Sequence, residues 1–432
     1  MRSNTNPQPI TYLARTTHRG EGQVFGIKPA DRRHHVYVLG KTGSGKTTLL
    51  QNMAIQDIAH GRGLALIDPH GDLAESLLDF VPPHRIDDVV YFDPSDLEFP
   101  IGVNLLRKVA PDQRHLVASS VISSLKSLWR DSWGPRLEYI LHNAVLALLD
   151  YDQATLLGVP RLLIDDRFRE RVVRRVRDPV VRQFWLEEYA LYSEHFRQEA
   201  IAPIQNKVGR LLSNAPIRNI VGQVAPKVDF RFMMDNGRIF IANLAKGKIG
   251  EDKANLLGSL LVSGFQLAAL SRADEPEEHR RDFHLTIDEF HNFTTDSFES
   301  ILAEARKYRL SLTLAHQYLD QLPEAIRAAV FGNVGTLLAF RVGSADAEAL
   351  SREFFPAFSV EDLVNLEKHR LAVRLMIDGQ ASRPFSAASL PVAAAHHHGH
   401  ADTVKRRSRE KYARLRHQIE SRIENWLGGS GV

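Results

Sequence analysis

The residues with the plainest chemistry are Gly40-Lys41-Thr42-Gly43-Ser44-Gly45-Lys46-Thr47, followed by Thr48. They satisfy G-x-x-x-x-G-K-[ST] in full, the pattern of a loop that wraps phosphates. Glycines at this spacing let the backbone take positive φ and turn successive N–H groups inward. A helix starting beyond the loop adds the partial positive charge of its N-terminus. Lys46 is then placed to reach the β- and γ-phosphates, and the Thr47 hydroxyl to ligate Mg2+. A nucleoside triphosphate and Mg2+ are the expected ligands of Gly40 to Thr48.

Hydrolysis needs a second set of groups, and these lie far downstream. Phe283 to Ile287 is an apolar run that ends on Asp288-Glu289. An acidic pair after a strand also suits a helix cap. Beside a complete phosphate loop it reads as Asp288 holding Mg2+ through water and Glu289 polarising the lytic water as general base. A small-molecule kinase has no need of that second carboxylate. Gln317 follows another apolar run, Ser311 to Leu314. It is either a surface glutamine or a group that hydrogen-bonds the γ-phosphate or the attacking water. Asp68, in Asp68-Pro69-His70-Gly71-Asp72, is either a site carboxylate or a turn cap.

Short apolar runs must position these groups. Val36 to Leu39, Leu64 to Ile67 and Val89 to Phe92 read as buried parallel strands, with a helix over 46–59 between the first two. The pattern resumes at Ile239 to Ala242, Phe283 to Ile287, Ser311 to Leu314 and Thr336 to Phe340. Between them, helical periodicity dominates from about 105 to 229, as over 136–150 and 197–214. The expected class is α/β with an inserted all-helical subdomain. The expected division is an N-terminal extension (1–30), a first core segment (31–104), the insertion (105–229), a second core segment (230–390) and a C-terminal tail (391–432).

Composition sets the limits. Lys plus Arg exceeds Asp plus Glu by 55 − 52 = +3, so any nucleic-acid contact must come from local clusters. With no cysteine, a thiolate metal site, a disulfide framework and a cysteine nucleophile are excluded. Leu256 to Leu270, interrupted by Ser259, Ser263 and Gln266, reads as a buried helix, and no integral membrane segment is expected. Met1 to Pro9 is polar and has no signal core. A cytoplasmic protein is expected, peripheral at the inner membrane at most.

The tail holds a His396-His397-His398 tract, read as a linker in preference to a metal site. Lys405 to Arg416 then carries seven Lys/Arg against one Glu. Leu415, Ile419, Ile423 and Trp426 fall on one helical face, so one basic amphipathic helix is expected to dock on the core, its basic face left to solvent, to an acidic membrane surface or to nucleic acid. Lys246 and Lys248, in a loop with Gly247 and Gly250, are further candidates for phosphate contact.

Taken in order, His35 to Leu50, Leu66 to Leu73 (LIDPHGDL), Ile101 to Leu106, Ile204 to Leu212, Arg238 to Gly250, Leu285 to Glu289 and Ala305 to Leu319 (ARKYRLSLTLAHQYL) resemble the FtsK/HerA branch of hexameric DNA motors. The likeness is greatest to the TraG/TraD-like coupling proteins of conjugation and type IV secretion. It implies a RecA-like P-loop NTPase core that forms a homo-hexameric ring, with ATP and Mg2+ at subunit interfaces and DNA in the channel. It also implies an arginine supplied by the neighbouring subunit. Arg306 stands at the matching position, with Arg309 and Arg341 as alternatives. The family's membrane-bound members carry N-terminal transmembrane helices and its HerA-type members an N-terminal β-barrel. Neither is expected here. Three readings follow: a DNA translocase of conjugative transfer, a defence or repair motor with a nuclease partner, and a nucleotide-switched receptor for a relaxase or a secretion channel.

Overall fold

The apolar runs form strands because both faces of the sheet they build are covered. The structure is a computed structural model and describes residues 9–17, 22–107 and 109–428. The polar N-terminal stretch before Pro9 and the closing Gly429 lie outside the described residues. Along β3 (Val36–Leu39) the side chains alternate between two cores. Tyr37 and Leu39 enter one, Val36 and Val38 the other. All four are buried, so the strand shows no polar alternation in sequence.

In chain order the remaining strands are β1 (Thr11–Thr16), β2 (Val24–Ile27), β4 (Gly63–Asp68), β5 (Val89–Phe92), β6 (Ile239–Asn243), β7 (Phe283–Ile287), β8 (Leu310–His316), β9 (Thr336–Ala339), β10 (Arg370–Arg374) and β13 (Phe385–Ser389). They form one 11-stranded sheet in the order β2-β1-β13-β10-β9-β3-β8-β7-β4-β6-β5. A small hairpin of β11 (Met376–Ile377) and β12 (Gln380–Ala381) stands apart. From β9 to β5 every pairing is parallel. From β9 to β2 every pairing is antiparallel. This is a RecA-like P-loop fold with helices on both faces. Residues expected as an N-terminal extension therefore supply β1 and β2 to the main sheet.

One face is covered by the phosphate-loop helix Lys46–Ala59 and the short helix Asp72–Leu77. The other carries the long helix Glu251–Ser271 and the helical block between β5 and β6. The long helix is apolar enough to cross a membrane by length and composition, but 78% of its apolar window is buried inside the protein. It packs on Arg114–Lys126, the first long helix of the insertion, where the Ser124 and Ser263 hydroxyls meet at 3.3 Å.

The tail departs from expectation in two ways. Residues after β13 are not a free linker. The Asn52 amide donates to the carbonyls of Leu390 and Pro391, both at 3.0 Å, and the His398 and Gly399 N–H groups bond to the Asp79 carbonyl. The basic segment is two helices, Ala401–Tyr412 and Arg416–Gly428, broken at Ala413, which bridges to Ile101. The first helix covers the edge strand β5, and its Ser408 hydroxyl accepts the Tyr91 N–H at 2.8 Å. This satisfies an edge donor that would otherwise invite another chain. The second docks Ile419 and Ile423 on the helical block.

A buried ion cluster ties the antiparallel edge to the phosphate-loop helix. Asp57 accepts two bonds from Arg32, at 2.6 and 2.8 Å, and one from Arg62 at 3.1 Å. Arg62 and Arg32 both also reach the Thr11 hydroxyl on β1. Burial alone would raise the Asp57 carboxyl, but Arg32 and the other neighbouring positive charges more than offset it and hold it at about 2. Removing the carboxylate strands two buried guanidinium groups, so Asp57→Ala is expected to cost about 3–5 kcal/mol in urea denaturation. A loss below 1 kcal/mol, the scale of an exposed ion pair, would refute that account.

Candidate functional site

Parallel strands end on the same edge of the sheet, and here strand order decides which ends meet. The order β3-β8-β7-β4 sets the phosphate loop beside Gln317, Gln317 beside Asp288-Glu289, and those beside Asp68. Groups separated by 249 residues in sequence, from Gly40 to Glu289, thus line one carboxyl-terminal edge, where open α/β sheets hold ligands.

The loop has the backbone its glycines allow. Gly43 takes φ +73 and Gly45 φ +123, both left-handed. A Cβ on Gly40 would meet Phe340 Cβ at 2.6 Å. Lys46 is buried, and its ammonium turns back onto the loop, donating to the Gly40 carbonyl at 2.6 Å and the Lys41 carbonyl at 3.4 Å. Burial lowers its pKa, while Glu289 and Asp288 pull the other way. Ser44 Oγ is buried with no hydrogen-bond partner. Lys41, Thr42 and Thr47 are exposed around it and Thr48 is half-buried.

Asp288 is 6% exposed and Glu289 5%. Burial, then Glu289, then Asp68 push the Asp288 carboxyl up to about 7, against the pull of Lys46. Glu289 holds a left-handed backbone, φ +45, which costs a non-glycine residue about 1–3 kcal/mol. Its Oε1 accepts from Gln317 Nε2 at 3.0 Å, and its Oε2 is buried with no hydrogen bond. This donor set suits a phosphate chain with a divalent cation. It offers a glycine loop with positive φ at Gly43 and Gly45, one ammonium, a buried hydroxyl without a partner, and carboxylates short of positive charge.

Other expected residues fall elsewhere. Asp68 spends both oxygens on backbone, accepting from His70 N–H at 2.8 Å and Ala74 N–H at 2.9 Å, so it acts as the turn cap. Lys246 and Lys248 lie in a short helix, Lys246–Ile249, rather than a loop, with Lys248 3.4 Å from Glu75. Arg306 lies ahead of β8, at the opposite edge of the sheet, where it is exposed and bonded to the His34 ring. Arg309 is half-buried against Glu277 and Asp282. The Arg341 carbonyl accepts the Lys41 N–H at 2.9 Å, and its side chain is exposed beside the loop. Among the described residues no His/Cys/Asp/Glu cluster suits a metal ion held by side chains alone, the histidine tract included.

Comparison with known proteins agrees with this architecture. Residues 26–215 match the family described as "Helicase HerA, central domain", and residues 282–354 match "TraM recognition site of TraD and TraG". The type 4 coupling protein DotL of Legionella pneumophila is 23% identical over 377 residues, covering 73% of this chain. This chain spans about half of that relative, 47% of its length. The chain is similar to the coupling proteins and to the HerA central domain.

Solved structures share the fold of this chain. The plasmid coupling protein TrwB, solved with a non-hydrolysable GTP analogue, aligns with a TM-score of 0.59 at 15% identity, covering 89% of this chain and 90% of that one. VirB4 of Thermoanaerobacter pseudethanolicus aligns at 0.62 and 14% identity, covering 90% and 98%.

Sequence reasoning missed three polar side chains of this site. His316 is buried, with Nε2 at 2.5 Å from the Tyr37 hydroxyl. Gln321 bonds the backbone N–H groups of Gln317 and Tyr318, and His291 lies 3.5 Å from Glu289. Their positions in the chain could have found them: His291 stands two residues past Glu289, His316 directly precedes Gln317, and Gln321 stands four past it.

The raised Asp288 carboxyl has a sign that can be measured. A folded pKa above the unfolded value stabilises the protein below the unfolded pKa. That contribution is lost as pH rises through the folded value. In chelator, thermal stability is therefore expected to fall between about pH 4 and pH 7 through this group. Asp288→Asn should flatten that fall. Parallel pH profiles for parent and variant would refute the assignment.

Proposed function

We propose that this chain is the ATP-hydrolysing subunit of a hexameric ring that translocates DNA in conjugative or type IV secretion transfer. The observation that carries the reading is one edge of the sheet holding a complete phosphate loop, Gln317 and the buried pair Asp288-Glu289. A relative solved with ADP and Mg2+, the coupling protein TrwB, supports ATP and Mg2+ as the ligands. The match to the HerA central domain also favours a second setting, a defence or repair motor with a nuclease partner. A cytoplasmic location, peripheral at the inner membrane, fits either.

The roles follow from position. The loop N–H groups and Lys46 bind the β- and γ-phosphates. Thr47 and Asp288 hold Mg2+, which when bound draws off negative charge from the phosphate oxygens. The buried Glu289 carboxylate takes the proton of the attacking water. Gln317, bonded to Glu289 in this structure, senses the γ-phosphate. Arg306 completes the site of the neighbouring subunit, because β8 is seven residues long and puts it about 20 Å from its own loop.

The test is steady-state ATP hydrolysis with and without DNA. Lys46→Ala is expected to abolish tight nucleotide binding. Glu289→Gln should keep binding and lose about 10²–10⁴ in turnover. Arg306→Ala alone should be as inactive as Glu289→Gln, and mixed rings of the two should recover part of the rate. Parent-level turnover by Glu289→Gln, or no recovery in verified mixed rings, would overturn the respective role.

DNA contact is proposed at a cleft of about 580 Å³ between the two tail helices, lined by Lys227, Arg406, Arg409, Arg414 and Arg422. Arg406 and Arg409 are paired with Glu410 and Asp96. Among the described residues Arg414 and Arg422 have no carboxylate partner, and burial together with Arg422 and Arg107 lowers the pKa of Arg414. Unrelieved repulsion of this kind favours an anion. Arg414→Glu with Arg422→Glu should weaken DNA binding and flatten the slope of log affinity against log salt by about 1–2. An unchanged slope would remove the cleft from the DNA path.

A further inference from the structure

Glu289 is anchored at one oxygen only, and the polar group nearest the other can be identified down to its proton. Gln321 Oε1 accepts from three donors: the Gln317 N–H at 3.2 Å, the Tyr318 N–H at 3.2 Å and His316 Nδ1 at 3.3 Å. Two of these are backbone amides, so that end of the side-chain amide must be the oxygen. Gln321 Nε2 is then the donor toward His291 Nε2, 3.2 Å away. An imidazole that accepts at Nε2 and is neutral carries its proton on Nδ1. Burial lowers the pKa of His291 and so favours that neutral form. His291 Nδ1 is the atom that faces Glu289 Oε2, at 3.5 Å, and both atoms lack a closer partner. On the other side His316, neutral by burial, accepts from the Tyr37 hydroxyl at 2.5 Å. The relay therefore runs from Tyr37 on the phosphate-loop strand through His316 and Gln321 to His291.

We propose that His291 and Gln321 are positioning residues for Glu289. Gln321 fixes the His291 tautomer, and His291 Nδ1–H holds Oε2 once Gln317 turns from Oε1 to the nucleotide. The inference rests on the reading of Glu289 as general base. Without His291 the carboxylate has no side-chain donor after Gln317 leaves. Its left-handed backbone would then be the sole restraint on its direction. Because Gln321 also binds the Gln317 N–H, the group that releases Glu289 and the group that recaptures it share one anchor.

The experiment uses the full chain and measures kcat, KM for ATP and the affinity for a fluorescent ATP analogue. A cavity of about 390 Å³ borders both His291 and Gln321, so leucine at either place has room. His291→Leu and Gln321→Leu are each expected to lower kcat about 10- to 100-fold, below the loss for the base itself. KM and analogue affinity should stay within about two-fold, because neither side chain touches the phosphate loop. The two changes act on one relay, so the double variant should be little slower than either alone. His291→Gln should recover most of the rate, since its amide can accept from Gln321 and donate to Glu289. A parent-level kcat in His291→Leu, no recovery in His291→Gln, or a parallel loss of analogue affinity would overturn the proposal and leave the ATPase reading standing. A parent with no hydrolysis overturns both. Should His291→Leu fail to fold, Gln321→Leu and His291→Gln carry the same expectations.

Discussion

Asp288 and Glu289 are buried side by side with one ammonium, Lys46, to offset them. Burying a carboxylate without a partner costs several kcal/mol. The protein meets that cost in three ways. The Asp288 carboxyl rises to about 7, so some of the charge is lost by protonation. Gln317 donates to one Glu289 oxygen. Lys46 stays on the Gly40 carbonyl, near enough for both carboxylates to act on it. All three are partial remedies, and a bound cation would complete the balance. The site is poised to draw in positive charge because both carboxylates are buried. Both faces of β3, β7 and β8 must be covered for that to hold.

That covering explains which regions of the fold could be read from the chain. Strands buried on both sides are continuous apolar runs, so β3 to β9 are visible as short clusters of Val, Ile, Leu and Phe. The antiparallel flank is not. β13 is Phe-Ser-Ala-Ala-Ser, with a single fully buried side chain, and β1 mixes buried and exposed positions with its alternation broken at Leu13-Ala14. Their pairing joins residues such as Ala14 and Ser389, far apart in sequence, and no local signal encodes it. The site divides in the same way. Gly40 to Thr48 and Asp288-Glu289 are legible because their chemistry depends on neighbours in the chain. His291 and Gln321 act only through contacts made by three strand ends. Asp68 misleads for the opposite reason: it ends a strand like a site carboxylate, yet the turn uses both of its oxygens.

The tail shows how charge clustering in sequence differs from charge clustering in space. Arg407 pairs with Asp87, Arg409 with Asp96 and Arg416 with Glu98, each partner more than 300 residues earlier. Most of the apparent basic excess is thereby spent on docking the tail to the edge strand and the helical block. Arg414 and Arg422, without a carboxylate partner among the described residues, sit where the two tail helices meet, which is why a cleft and not a helix face is the proposed contact with DNA. A single amphipathic helix would have spread the charge along its length. The break at Ala413 concentrates it at one corner.

The same sheet geometry bears on assembly. Parallel strands give the two edges different roles, with phosphate-binding groups at one and Arg306 at the other. A strand is stiff and of fixed rise, so no local motion brings Arg306 to its own phosphate loop. If Arg306 is the completing arginine, every site needs a neighbour, and each subunit gives at one edge what it receives at the other. Such a contact is heterologous. Repeated without closing, it makes an open filament whose last subunit has an incomplete site. Repeated with closure, it makes a ring in which every site is complete. Closure also faces one surface of every subunit toward a common axis. The proposed reading then ties hydrolysis to whatever occupies that axis, because each Glu289 can act only while the neighbouring arginine is in place.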